Sequence, residues 1–181
     1  IGTGLITIAL ALLAYDMAGE KAAQVLGIAL AIKMIAYIAV APVASAFAER
    51  LPRKKVLVGL DIIRALTALC LPFVTQIWQI YLLIFILQSA SAAFTPTFQA
   101  TIPDVLPDEK DYTNALSLSR LAYDLENIIS PMLAGLLLTV ISYNNLFLGT
   151  VIGFIGSALF VVSAKLPLSL IHISEPTRLR R

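Results

Sequence analysis

Ser45-Ala46-Phe47-Ala48-Glu49-Arg50-Leu51-Pro52-Arg53-Lys54-Lys55 is a short charged stretch pinned between two long apolar runs. The chain on either side is apolar enough to sit in hydrocarbon. A charge cluster in that setting reads as a tight loop between two membrane helices. Short loops rich in Lys and Arg stay on the cytoplasmic side of a membrane, so this loop fixes the orientation of everything else.

Composition agrees. The chain is 59% hydrophobic and only 13% charged, with a mean hydropathy of +0.90, whereas soluble domains are about half apolar and about a quarter charged. Thirteen Lys and Arg face eleven Asp and Glu, a balance that gives no footing for nucleic acid. The single cysteine, Cys70, excludes an internal disulfide and a multi-cysteine metal site, and its apolar surroundings predict an inert buried thiol.

Working outward, six segments approach the ~20 apolar residues needed to cross ~30 Å of hydrocarbon. They run from Ile1 to Tyr15, Val25 to Phe47, Val56 to Val74, Ile77 to Phe98, Leu116 to Ile141 and Leu146 to Ala164. The joint over Thr101 to Asn114 is then cytoplasmic, and those at Asp16 to Lys21, Thr75-Gln76 and Ser142 to Asn145 face out. Trp78 and Tyr81 fall where an outer aromatic belt is expected. The expected fold class is all-α, a polytopic membrane protein of six transmembrane helices. At the far end, Ser169 to Arg178 resembles the in-frame translation of a transposase sequencing adapter. The expected organisation is one transmembrane domain over 1–168, cut short in its first helix, and a non-native tail over 169–181 that carries the only histidine, His172.

The loop carries a resemblance. Ser45 to Lys55 is similar to the loop between helices two and three of the major facilitator superfamily, whose pattern is Gly-x-Leu-Ala-Asp-Arg-x-Gly-Arg-Lys/Arg-Lys/Arg. Glu49 stands for its Asp, Arg50, Arg53, Lys54 and Lys55 match, and Ser45 and Pro52 replace its glycines. Phe94 to Pro107, followed by Asn114-Ala115-Leu116, resembles the enterobactin-exporter and macrolide-efflux branch of that family. The resemblance implies the N-terminal half of a twelve-helix exporter, built as two three-helix inverted repeats, with Glu49, Arg50, Arg53 and Lys54 in a cytoplasmic gate. It also implies a missing C-terminal half as partner. Glu126 to Gly135 is similar to the family's helix-five Gly-Pro-x-x-Gly-Gly pattern, with Ser130-Pro131 and Ala134-Gly135 in its places. One departure stands in helix four, where Phe85 occupies the position of the family's Arg ahead of Gln88-Ser89.

Charges inside membrane helices are costly and are normally paired or line a wet cavity. Lys33 has no acid on its own helix, and Glu126 is a candidate partner for it. Asp61 and Arg64 are three apart and can pair on one helix face; since the family's third helix is peripheral, the resemblance makes them a structural pair. Arg120, Asp124, Asn127 and Pro131 recur at steps of four, three and four, which is one face of helix five, while Glu126 points elsewhere. Lys33, Arg120, Asp124 and Glu126 form the candidate proton or charge network. Gln88, Ser89, Asn127, Pro131 and Gly135 are candidates for the cavity wall or for helix packing.

No histidine or metal cluster and no phosphate-binding glycine run converges in the transmembrane segments, so neither an enzyme nor a cofactor is expected. The function expected is proton-coupled efflux of a small amphipathic molecule across a bacterial-type inner membrane. Its alternatives are a membrane scaffold or sensor on the same half-fold, and a membrane-embedded enzyme. The expected partners are the lipid bilayer and a small-molecule substrate.

Overall fold

A computed structural model describes residues 2–48, 52–105 and 108–164. Six α-helices follow one another: α1 (Gly2–Ala18), α2 (Ala22–Ala48), α3 (Arg53–Cys70), α4 (Ile77–Val105), α5 (Glu109–Leu138) and α6 (Tyr143–Ser163). Among the described residues, five helical stretches are long and apolar enough to cross a membrane. The first, Thr3–Ala46, is 44 residues long, about twice what one crossing needs. Gly19, at φ +54°, breaks it where only glycine adopts the backbone freely, and α1 and α2 pack against each other across that break.

The neighbour pairs have a pattern. Helix α1 packs on α2, α5 and α6, and α4 packs on α2, α3 and α5; α3 packs on α6. Exchanging α1, α2 and α3 for α4, α5 and α6 maps these pairs onto one another, as expected of two related three-helix repeats. The chain is thus an all-α, multi-pass membrane fold.

Small residues decide how closely the helices approach. Ala9, Ala68 and Ala134 are fully buried within a core that also holds Leu71, Ile80, Leu146 and Phe147. The tightest crossing joins α1 and α5, where a Cβ on Gly4 would come within 2.0 Å of the Ser130 Cβ. Large apolar side chains such as Ile38, Phe73, Ile152 and Phe160 point outward and are exposed. In water such a surface would be a liability; in lipid it is the solvent-matched face.

Helix ends carry local chemistry. The Gln79 side chain accepts from the backbone N–H of Thr75 (2.8 Å) and Gln76 (3.1 Å) at the start of α4, satisfying donors the helix cannot. Asp108 does the same for Lys110 (2.9 Å) and Asp111 (3.3 Å) at the start of α5. Pro42, Pro96, Pro103 and Pro131 lie inside α2, α4 and α5, which membrane helices tolerate when neighbours make up the lost bonds.

Three expectations are corrected. The joint over Thr101 to Asn114 is mostly helical: α4 continues to Val105 and α5 starts at Glu109. Thr97 and Thr101 bond back to the carbonyls of Ala93 (2.8 Å) and Thr97 (2.8 Å), so polar residues ride on the helix rather than ending it. The basic trio Arg53-Lys54-Lys55 forms the first turn of α3 instead of a free loop. Cys70 is exposed, because α3 buries the face carrying Leu57, Asp61, Arg64 and Ala68, and Cys70 lies off that face.

Candidate functional site: a polar cavity at membrane depth

Five helices wall a cavity of about 640 Å³, a size typical of small-molecule sites. Thr3 comes from α1, Tyr37 from α2 and Arg64 from α3. Helix α4 contributes Ser91, Phe94, Thr95, Phe98 and Gln99, and α5 contributes Leu116, Ser119, Arg120, Tyr123 and Glu126. Arg64 lies about 17 Å along α3 from Arg53, at 1.5 Å per residue, which is near the middle of a bilayer.

Arg64 is the buried cation of this wall. It is 7% exposed, and its acid partner Asp61 is fully buried. The two form an ion pair through Arg64 Nη2 and Asp61 Oδ1. The guanidinium also lies 4.1 Å from the centroid of the Phe94 ring of α4 and 4.6 Å from that of Phe154 of α6. Phe94 stacks in parallel with Phe98, centroids 6.0 Å apart. One charged group therefore ties α3 to α4 and α6. Arg64 Nε and Asp61 Oδ2 are buried without hydrogen-bond partners.

Glu126, also on the cavity wall, accepts at Oε1 from the Thr3 hydroxyl and from the Thr3 backbone N–H (3.2 Å). The hydroxyls of Ser91 and Thr95 are turned onto their own helix, donating to Leu87 O (2.9 Å) and Ser91 O (3.4 Å). At the start of α3, Arg53 Nη1 donates to the carbonyl of Ala100 in α4. Lys54 Nζ donates to the carbonyls of Val162 (2.6 Å) and Ala164 (2.9 Å) at the end of α6, where a cation meets the negative pole of the helix. Glu49 and Arg50 lie outside the described residues.

The structure sorts the residues singled out from the sequence. Arg120 and Glu126 line the cavity; Lys33, Asp124, Gln88 and Ser89 do not. Lys33 does not meet Glu126, which takes Thr3 instead. Asp124, Asn127, Pro131 and Gly135 are exposed, and a Cβ on Gly135 would touch nothing within 4 Å. Their neighbours Ser130 and Ala134 carry the packing against α1. Sequence reasoning missed Arg64 as a cavity residue, and with it Thr3, Tyr37 and Phe94. The three-residue spacing of Asp61 and Arg64 signalled the pair; nothing local signalled which way its cation faced. Among the described residues no group of His, Cys, Asp and Glu is placed to hold a metal ion.

Comparison with known proteins bears on this arrangement. The family profile described as Major Facilitator Superfamily matches residues 1–179. Macrolide efflux protein A of Streptococcus pyogenes is 27% identical over 163 residues, 87% of this chain and 40% of the relative. Macrolide efflux protein A of Enterococcus faecalis is 26% identical over 136 residues, 72% of this chain and 42% of the relative. The MFS-type transporter YfiS of Bacillus subtilis (strain 168) is 28% identical over 127 residues, 70% of this chain and 29% of the relative. The chain thus spans about two fifths or less of the length of these relatives. No solved structure gives a significant match.

Proposed function

The chain belongs to the major facilitator superfamily, a family of transporters rather than enzymes, and from that premise we propose that it is the N-terminal six-helix half of an exporter of small amphipathic molecules. The observation that carries this reading is the cavity at membrane depth, with a buried Arg64, a half-buried Glu126 and an aromatic wall. Charges at that depth are expensive and are kept where they serve a pathway. The efflux proteins among the relatives support the direction, and their bacterial sources support an inner-membrane location.

In this reading the half rocks against a second six-helix half about the cavity. Glu49, Arg50, Arg53 and Lys54 form the cytoplasmic gate. Arg53 and Lys54 hold backbone carbonyls of α4 and α6, contacts that can close one face and release as it opens. Export is coupled to protons, with Glu126 and Asp124 as the titrating acids. Glu126 lines the cavity and Asp124 is exposed outside that lining, so access to the two would differ between states. Two of the relatives are macrolide efflux proteins, and macrolides are the first substrates to try.

Counterflow in proteoliposomes tests the reading. The full-length transporter with Glu126→Gln should still exchange labelled for unlabelled substrate but lose accumulation driven by a pH gradient. Full pH-driven accumulation in that variant would remove Glu126 from the coupling.

A further inference from the structure

The cavity wall is not chemically even. Its titratable charged lining residues are Arg64 from α3, and Arg120 and Glu126 from α5, two cations against one acid. The acid already accepts twice from Thr3. Nearby hydroxyls on α4 spend their donors on their own helix. What stands out is Arg64. A guanidinium carries five N–H donors; Asp61 takes one at Nη2, and the Nε–H is buried with no acceptor.

We propose that the cavity binds amphipathic acids, with the ligand carboxylate docked on Arg64 and the apolar body laid against Phe94 and Phe98. The site is fixed before a ligand arrives. Two aromatic rings and Asp61 hold the guanidinium in place, so little side-chain freedom remains to be lost on binding. Guanidinium is the side chain whose planar fork matches a carboxylate. Phe98, exposed and stacked on Phe94, offers an apolar surface beside it. Glu126, the acid of the same lining, repels the ligand's charged end and so favours its docking on Arg64. Asp61, whose Oδ2 also lacks a partner, is the ligand's direct competitor for the same cation.

The inference rests on reading the cavity as the transport site, so its test measures binding apart from transport. The full-length transporter in nanodiscs is titrated with 2-naphthoate and with its neutral isostere 2-naphthamide. The acid should bind about tenfold or more tighter than the amide, the scale of a charge-assisted hydrogen bond. Asp61→Asn removes the competitor but leaves Arg64 buried without its acid, so it is read as a ratio: the affinity of the acid relative to the amide should rise. Arg64→Gln alone would strand Asp61, so Asp61→Asn with Arg64→Gln is the variant that removes the cation; it should bring the acid down to the amide. An amide that binds as tightly as the acid in the parent, or an acid preference that survives in the double variant, overturns the proposal. Counterflow of the same two compounds is read separately: acid binding that depends on Arg64 without movement across the membrane upholds the site and rejects the transport reading.

Discussion

Removing the Arg64 side chain should be among the most damaging single changes in the bundle. In Arg64→Ala, Asp61 stays fully buried with no cation, and breaking a buried pair from one side costs about 3–5 kcal/mol. The contacts of the guanidinium with Phe94 and Phe154 are lost as well, at about 0.5–2 kcal/mol for each. The neutral pair Asp61→Asn with Arg64→Gln strands no charge and should cost far less, within about 2 kcal/mol, because a buried ion pair contributes little beyond its own desolvation. Unfolding in mixed micelles titrated with SDS reads these differences on the full-length transporter. Phe94→Leu and Phe154→Leu, each combined with Arg64→Gln in the Asp61→Asn background, give the coupling energies of the rings by double-mutant cycles. If Arg64→Ala costs less than about 1 kcal/mol, or costs no more than the neutral pair, Arg64 is not the buried tie described here and the reasoning fails.

Three other changes probe the frame. Gly4→Ala places a Cβ within 2.0 Å of Ser130 Cβ and should cost about 1–3 kcal/mol by overpacking; adding Ser130→Gly should recover most of it in the same SDS titration. Lys54→Met removes both donors to the α6 carbonyls and should cost about 0.3–1 kcal/mol, seen as faster amide hydrogen exchange over the last turn of α6 with none at its start. Gln79→Ala removes the acceptor for two N–H groups before α4 and should cost about 1 kcal/mol, with exchange quickened at Thr75 and Gln76 alone.

The frame was legible because lipid makes the alphabet simple. Long apolar runs, punctuated by Gly19, Pro52 and Asn144-Asn145, are all that six helices require, and Arg53 to Lys55 gave the loop its sign. The ends of α4 and α5 were not legible by the same rule. There the helices run on into polar sequence, and hydropathy stops reporting where backbone bonding continues. Site residues divided along similar lines. Glu126 and Arg120 could be placed on helix five by their spacing. Whether Asp124, Asn127 or Gly135 shared their cavity depended on which face α1 covers, and that is settled by Gly4 meeting Ser130 over a hundred residues away in sequence. The Asp61–Arg64 pair was legible from its spacing; that Arg64 also borders the cavity was not, because the rings of Phe94 and Phe154 come from other helices.

The four internal prolines distribute stiffness unequally. A proline withholds the N–H that would bind the carbonyl four residues before it, so the carbonyls of Ile38, Ala92, Gln99 and Asn127 have no helical donor at Pro42, Pro96, Pro103 and Pro131. All four gaps fall in α2, α4 and α5, while α1, α3 and α6 run without an internal proline. The bundle thus has three rigid struts and three members with built-in points of compliance. Arg64, mounted on a rigid strut, is braced against one compliant member through Phe94 and one rigid member through Phe154. A bend in α4 at Pro96 would be felt first at that cation, two residues away from the ring that rests on it.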